Sequence, residues 1–276
     1  MKWKTLVFAA ALALPACGSG GTPKAGPSFS YEGYASALKA HVDGRGRVDY
    51  AALARDRKGL DSFLEGVAGL SPKVFSRWKE KDRLAFWINV YNALTIRAVL
   101  DHLPIKSIRG IPGVWKKLKW RVMGKDLTLD FIENGILRKR FREPRIHMGL
   151  VCASRGCPFL LNEPFRGERL EAQLDGRARL FFADPKKFRI DEKAGKVYVS
   201  PLFDWYKADF LKAYAPKGGF KGLSPEWKAV MNFASRYVKP PDRACLVAGG
   251  YQIVFLPYDW SLNKAPERKN PEKKDR

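Results

Sequence analysis

Residues 83–100, RLAFWINVYNALTIRAVL, are apolar around almost their whole circumference. A surface helix carries one apolar stripe, whereas a helix apolar on every side must be surrounded, so this stretch predicts a central buried helix in a sizeable core. It contains two amides, Asn89 and Asn92, three residues apart and therefore on one face. A buried amide without partners costs about 1–3 kcal/mol, so both must hydrogen-bond. They either brace a neighbouring loop or line a ligand or catalytic cavity, and the sequence leaves both readings open.

The chain begins MKWKTLVFAAALALPAC: two lysines, an apolar run too short to span a bilayer, then small residues before Cys17. That layout predicts a secretory signal, and Leu14-Pro15-Ala16-Cys17-Gly18 resembles the bacterial lipobox. The resemblance implies cleavage after residue 16 and lipidation of Cys17, which would tether the protein to a membrane through its N-terminal lipid. Gly18 rather than Asp after the cysteine suggests, by analogy with enteric bacteria, an exported protein anchored in the bacterial outer membrane and facing the periplasm. The expected organisation is a signal peptide over 1–16, a Gly-, Pro- and Ser-rich flexible tether over 17–30, one globular domain over 31–264, and a disordered basic tail over 265–276.

The formal charge of +23 includes Lys2 and Lys4, so the processed chain keeps +21. Such a charge attracts anionic surfaces. An exported location and the lack of zinc-finger spacing, an RNP-like motif or basic heptads argue against nucleic acid as the partner. Anionic envelope polymers or lipids suit the compartment. The basic residues are scattered, as at Lys116, Lys117, Lys119, Arg138 to Arg142, Lys186 and Lys187, which is either a solvated surface or a dedicated patch. There is no Gly-rich phosphate loop, dinucleotide fingerprint or GxSxG elbow, so no cofactor is expected.

In chain order, helical spacing runs through FSYEGYASALKAHV, the Tyr50 to Leu64 segment and a short stretch near 73–79 before the central helix, which Pro104 ends. A hairpin turning at Gly124-Lys125-Asp126 precedes a helix capped by Thr128 or Asp130. Ile146 to Val151 reads as a buried strand, followed by a helix to about Phe182, a strand at 196–200, helices over DWYKADFLKAYA and EWKAVMNFASRYV, and a closing strand in YQIVFLPYDW. The fold class is α+β: a helix-rich single domain with a small, mostly antiparallel sheet formed by segments near 120, 146, 197 and 251.

The loop after that strand, CASRGCPFL, is where catalytic groups are often displayed. With Cys17 lipidated, Cys152, Cys157 and Cys245 remain, and an odd count leaves a thiol free in a monomer. Cys152 has three readings: a disulfide with Cys157, a small buried residue, or a nucleophile. A nucleophilic thiol needs a base and a group to orient it. His147 is the nearby imidazole, Glu133 the candidate orienting carboxylate, and Asn89 or Asn92 the candidates to orient the imidazole or donate to an oxyanion. In a straight strand His147 and Cys152, an odd number of residues apart, face opposite sides, so their contact requires a bend. A structural role for His147 therefore stays open. Cys152, Cys157 and His147 lack a fourth ligand and a CxxC spacing, so no metal site is expected. Trp205, Tyr206, Tyr258 and Trp260 read as core and rim packing rather than as a ligand box.

FWINVYNALTIRAV, DFIENGILR, PRIHMGLVCASRGCPFL, VSPLFDWYKADF and YDWSLN, in this order and spacing, resemble the domain-of-unknown-function family 547 over about residues 45–264. The resemblance implies that the Asn helix, the loop after Cys152 and the segment from Ser200 form a shared centre, and it brings no established activity. The sequence thus points to a lipid-anchored cell-envelope protein, with a thiol-dependent hydrolase or acyl transferase acting on peptide or amide bonds as the preferred activity. The alternative is a non-enzymatic envelope module for anionic partners, with a structural Cys152–Cys157 disulfide. The residues do not fix an oligomeric state. Metabolic labelling with palmitate tests the anchor: label is expected in the full-length protein and absent from Cys17→Ala, and label retained in that variant contradicts lipidation.

Overall fold

The computed structural model describes residues 29–266. The expected signal peptide, Cys17, nearly all of the tether and most of the tail lie outside the described residues. Helices α1 (Glu32–His41), α2 (Tyr50–Arg55), α3 (Lys58–Gly69) and α4 (Pro72–Phe75) lead into α5 (Glu80–Leu100). From Leu84 to Leu100 every residue of α5 except Arg97 is buried, as expected of a helix apolar all round. Glu80 and Asp82 occupy its first turn, where negative charge suits the helix dipole. Arg97 ties its far end to Asp61 at 2.9 Å and Asp101 at 2.7 Å. Among the described residues no helix is long and apolar enough to cross a membrane.

A 3-10 turn at Ile108–Gly110 is followed by the hairpin β1 (Trp120–Val122) and β2 (Lys125–Leu127), paired Trp120 to Leu127. The hairpin turns at Met123 and Gly124, both at positive φ, the geometry that matches strand twist. This is slightly N-terminal to the turn expected from sequence. The next helix is capped by the Thr128 hydroxyl, which accepts from the Phe131 amide at 3.1 Å. It forms a π-helical segment, Phe131–Leu137, running into α6 (Arg138–Arg140). After α7 (Ile146–Gly149) and α8 (Leu170–Ala183) come β3 (Phe188–Asp191), β4 (Lys196–Val199), α9 (Leu202–Tyr214), α10 (Pro225–Ala234), α11 (Pro240–Ala248) and β5 (Gln252–Phe255). β4 is the centre of a three-stranded sheet, antiparallel to β3 and parallel to β5.

The α+β class holds, but the expected sheet does not assemble from the four segments proposed. The hairpin is separate from the three-stranded sheet, and residues 146–149 are helical. A short apolar run carries too little period to distinguish a buried strand from a buried helical turn. Here the backbone bonds are local: His147 N–H donates to Pro144 O at 3.1 Å and Leu150 N–H to Ile146 O at 2.8 Å.

Two apolar clusters fill the interior. One surrounds α5 with α1, α3, the hairpin and the π-helical segment; the other lies among α8 to α11 and the three-stranded sheet. α7 sits at their seam, with Ile146 in the first cluster and Met148 in the second. The two asparagines of α5 bind the chain that crosses this region. Asn89 donates to Phe165 O and accepts from Phe165 N–H, both at 2.8 Å. Asn92 donates to Gly149 O and accepts from Val151 N–H, both at 2.9 Å. Each amide replaces the strand partner that these buried backbone groups lack.

Asn92→Leu leaves Gly149 O and Val151 N–H buried without partners, and it should lower unfolding stability by roughly 2–4 kcal/mol in urea with little change in m-value. A loss below about 1 kcal/mol contradicts the bracing role.

Candidate functional site

After α7 the chain extends through Leu150 and Val151 into a loop closed by a disulfide between Cys152 and Cys157. Ala153 within it takes a left-handed conformation, φ 57°, which costs a non-glycine residue about 1–2 kcal/mol. The C-terminal segment holds it there: Asn263 N–H donates to Ala153 O at 3.0 Å, while Arg155 and Gly156 donate to Ser261 O and Asp259 O at 2.9 and 2.8 Å. The Tyr258 ring lies against Gly156, where an added Cβ would come within 2.7 Å of it. The Tyr258 hydroxyl donates to Cys157 Sγ at 3.2 Å, accepts from Ser154 Oγ at 3.1 Å and lies 3.5 Å from Cys152 Sγ. Burial pushes this phenol up to about 12, so it keeps its proton and serves as a donor to sulfur.

The loop forms one wall of a cleft of about 460 Å³ that Cys152, His147 and Glu133 all line. Aromatic side chains make much of the remaining wall, among them Trp115, Trp205, Tyr206 and Trp260. Trp205 and Trp260 lie nearly parallel with centroids 5.9 Å apart, and the Arg109 guanidinium sits 5.3 Å from the Trp260 ring. His147 is buried at the inner side, stacked on Tyr206 at 3.9 Å, and its Nε2 meets Asp209 Oδ2 at 2.8 Å. Arg138 grips the same carboxylate with two nitrogens, Nε to Oδ2 at 2.6 Å and a terminal nitrogen to Oδ1 at 2.9 Å. Burial works against the Asp209 charge, yet the hydrogen bonds from His147 and Arg138 outweigh it and hold its carboxyl well below the usual range. With Nε2–H assigned as the donor to this carboxylate, a neutral His147 keeps Nδ1 as its lone-pair nitrogen.

Glu133 does not orient His147. Its carboxylate accepts from the Tyr206 hydroxyl at 2.6 Å, and its charge acts on the buried Tyr91 phenol as well. Burial first, and the Glu133 charge second, push both phenols above their ordinary value, so both keep their protons. Asn89 and Asn92 do not line the cleft, and their amides are already engaged by backbone, which removes them as oxyanion donors. The helical α7 also removes the strand-parity objection to His147 and Cys152 sharing a cavity. Their immediate partners nevertheless differ: His147 bonds to Asp209, whereas Cys152 Sγ is joined to Cys157 and lies 3.3 Å from Ser154 Oγ.

Asp209 and Ser154 carry no expectation from sequence, and Tyr258, expected with Trp205, Tyr206 and Trp260 to be packing, lines the cleft together with them. Tyr206 and Asp209 are three apart on α9 and therefore share a helix face, a spacing that could have flagged the pair. Among the described residues no group of three or more His, Cys, Asp or Glu side chains could hold a metal ion.

The depressed Asp209 carboxyl carries a pH signature. Protons add to the unfolded chain first, so the Arg138–Asp209–His147 contribution is present above about pH 4 and lost as the pH falls further. The melting-temperature gap between wild type and Asp209→Asn should therefore be largest near neutrality and narrow below about pH 4. A gap of constant size down to pH 2.5 contradicts this arrangement.

No curated protein and no solved structure matches the chain. Residues 75–182, which span α5, the π-helical segment, α7, the disulfide loop and nearly all of α8, match the model of the family described as Protein of unknown function, DUF547.

Proposed function

We propose that this is a lipid-anchored cell-envelope protein whose cleft performs thiol-dependent hydrolysis or acyl transfer on peptide or amide bonds when the Cys152–Cys157 bond is reduced. The observation that carries the reading is the convergence of the Cys152 sulfur and the Asp209-anchored His147 on one cleft. A dithiol reductant would convert the disulfide into two thiols and free Cys152 Sγ. His147 would take the proton of that thiol, the thiolate would attack the substrate carbonyl to form a thioester as the amine leaves, and the imidazolium would pass the same proton to the amine. Water or a second amine would then release the acyl group. Asp209 would hold the imidazole and offset its charge. In the disulfide form the nucleophile is occupied and the site is latent.

A second reading, a non-enzymatic envelope module binding anionic partners, is supported by the closed disulfide itself and by the excess of cationic over acidic side chains beside it among the described residues. Alkylation kinetics separate the two. After reduction, the enzyme reading expects Cys152 to label rapidly with an apparent pKa below about 8.5, and His147→Gln to slow that labelling. Cys245 is the internal standard, since burial pushes its thiol up. If reduced Cys152 reacts no faster than Cys245, and electrophilic acyl probes leave it unlabelled, the disulfide is a structural cross-link.

A further inference from the structure

A second cavity, of about 480 Å³, is walled by the same disulfide loop, and Cys157 lines both spaces. Six cationic side chains border it, Arg45, Arg47, Arg155, Lys186, Lys187 and Arg189, against the two carboxylates of Asp184 and Asp259. Arg47 is paired with Asp43 at 2.7 Å and Arg189 lies 3.8 Å over the Tyr198 ring. Arg45, Arg155 and Lys186 make no ion pair among the described residues. The two carboxylates hydrogen-bond locally, Asp184 accepting from the Lys186 amide at 3.0 Å and Asp259 from the Ser261 amide and hydroxyl; their charges also act on Lys187, and that of Asp259 on Arg155, so they offset part of the six cations.

Lys187 is the unusual member, because lysine is seldom buried and only 4% of this one is exposed. Its ammonium donates to the Arg155 carbonyl at 2.6 Å and lies 5.2 and 5.7 Å from the Phe159 and Phe181 rings. A carbonyl and two ring faces ease the burial of a cation without neutralising it. Burial accordingly lowers Lys187 to about 8. An ammonium offers three donors, and Arg155 O takes one.

We propose that this cavity binds a phosphate group, with Lys187 as its buried anchor and Arg155, Arg45 and Lys186 as the outer cations. An ammonium at the back and guanidinium forks at the mouth match a tetrahedral, multiply charged oxyanion. The space also accommodates an organic group esterified to it. The proposal rests on the anionic-partner reading, not on thiol chemistry, and gives that reading a location. The phosphate belongs either to a soluble ester or to a lipid headgroup.

Calorimetry on the full chain at constant ionic strength tests the site, using inorganic phosphate, glycerol 3-phosphate, and phosphatidylcholine vesicles with or without phosphatidylglycerol. Wild type should bind the phosphate probes saturably. Lys187→Met and the exposed Arg155→Gln should each weaken binding about tenfold or more, and Lys228→Gln, outside the cavity, should not. Phosphatidylglycerol vesicles that compete with glycerol 3-phosphate identify the lipid source, and vesicles that leave its binding unchanged identify a soluble ester. Phosphate or vesicle binding undiminished in both cavity variants overturns the site while leaving the anionic-partner reading standing. No binding of any anionic probe overturns both.

Discussion

The structure depends on two side-chain amides inside a helix otherwise suited only to a hydrocarbon interior. Asn89 and Asn92 are nearly inaccessible to solvent, and each donates one N–H to the backbone of a distant segment and accepts from it at its oxygen. A buried amide without partners destabilises a fold, whereas one that bonds through both its nitrogen and its oxygen fixes what it touches. Asn92 sets the path between Gly149 and Val151, so it positions His147 on one side and Cys152 on the other. Asn89 does the same at Phe165, before α8 begins. The loop needs no neighbouring strand because the helix supplies that hydrogen bonding.

The cleft follows from where this braced chain lies. α7 crosses between the two apolar clusters, so His147 emerges at a junction instead of within either. One cluster contributes the π-helical segment with Glu133, continuing to Arg138; the other contributes α9 with Tyr206 and Asp209. The site is held by pairings across that junction, Arg138 to Asp209 and Tyr206 to Glu133, which separate sequence segments can make only once both clusters have formed. The C-terminal strap closes the last side through Tyr258 and its backbone contacts with the disulfide loop. Asn263 links that strap to the N-terminal helices, accepting from the Tyr50 hydroxyl at 2.7 Å.

Long periodic segments were legible without coordinates. α5 announced itself by its length and unbroken apolarity, and α9 and α10 by their spacing. α7 was not, because four apolar residues carry no usable period and the partner of their backbone is a side chain far away in sequence. The same distance hid the electrostatics. Glu133 stood in a conspicuous helix, yet the carboxylate beside His147 is Asp209, 62 residues away from it in the chain. The bracing role of the asparagines was one of two readings that their burial allowed. Lys187 looked like one more basic residue of a strongly basic chain, and its burial depends on the loop and strand that fold over it.

Amide hydrogen exchange at Val151 and Phe165 tests the bracing most directly. Neither residue lies in a helix or strand, so ordinary loop behaviour would be exchange through small local openings. Donation to the Asn92 and Asn89 side chains predicts exchange as slow as that of the middle of α5, requiring near-global unfolding. Exchange of either amide at the rate of the exposed loops would contradict the account.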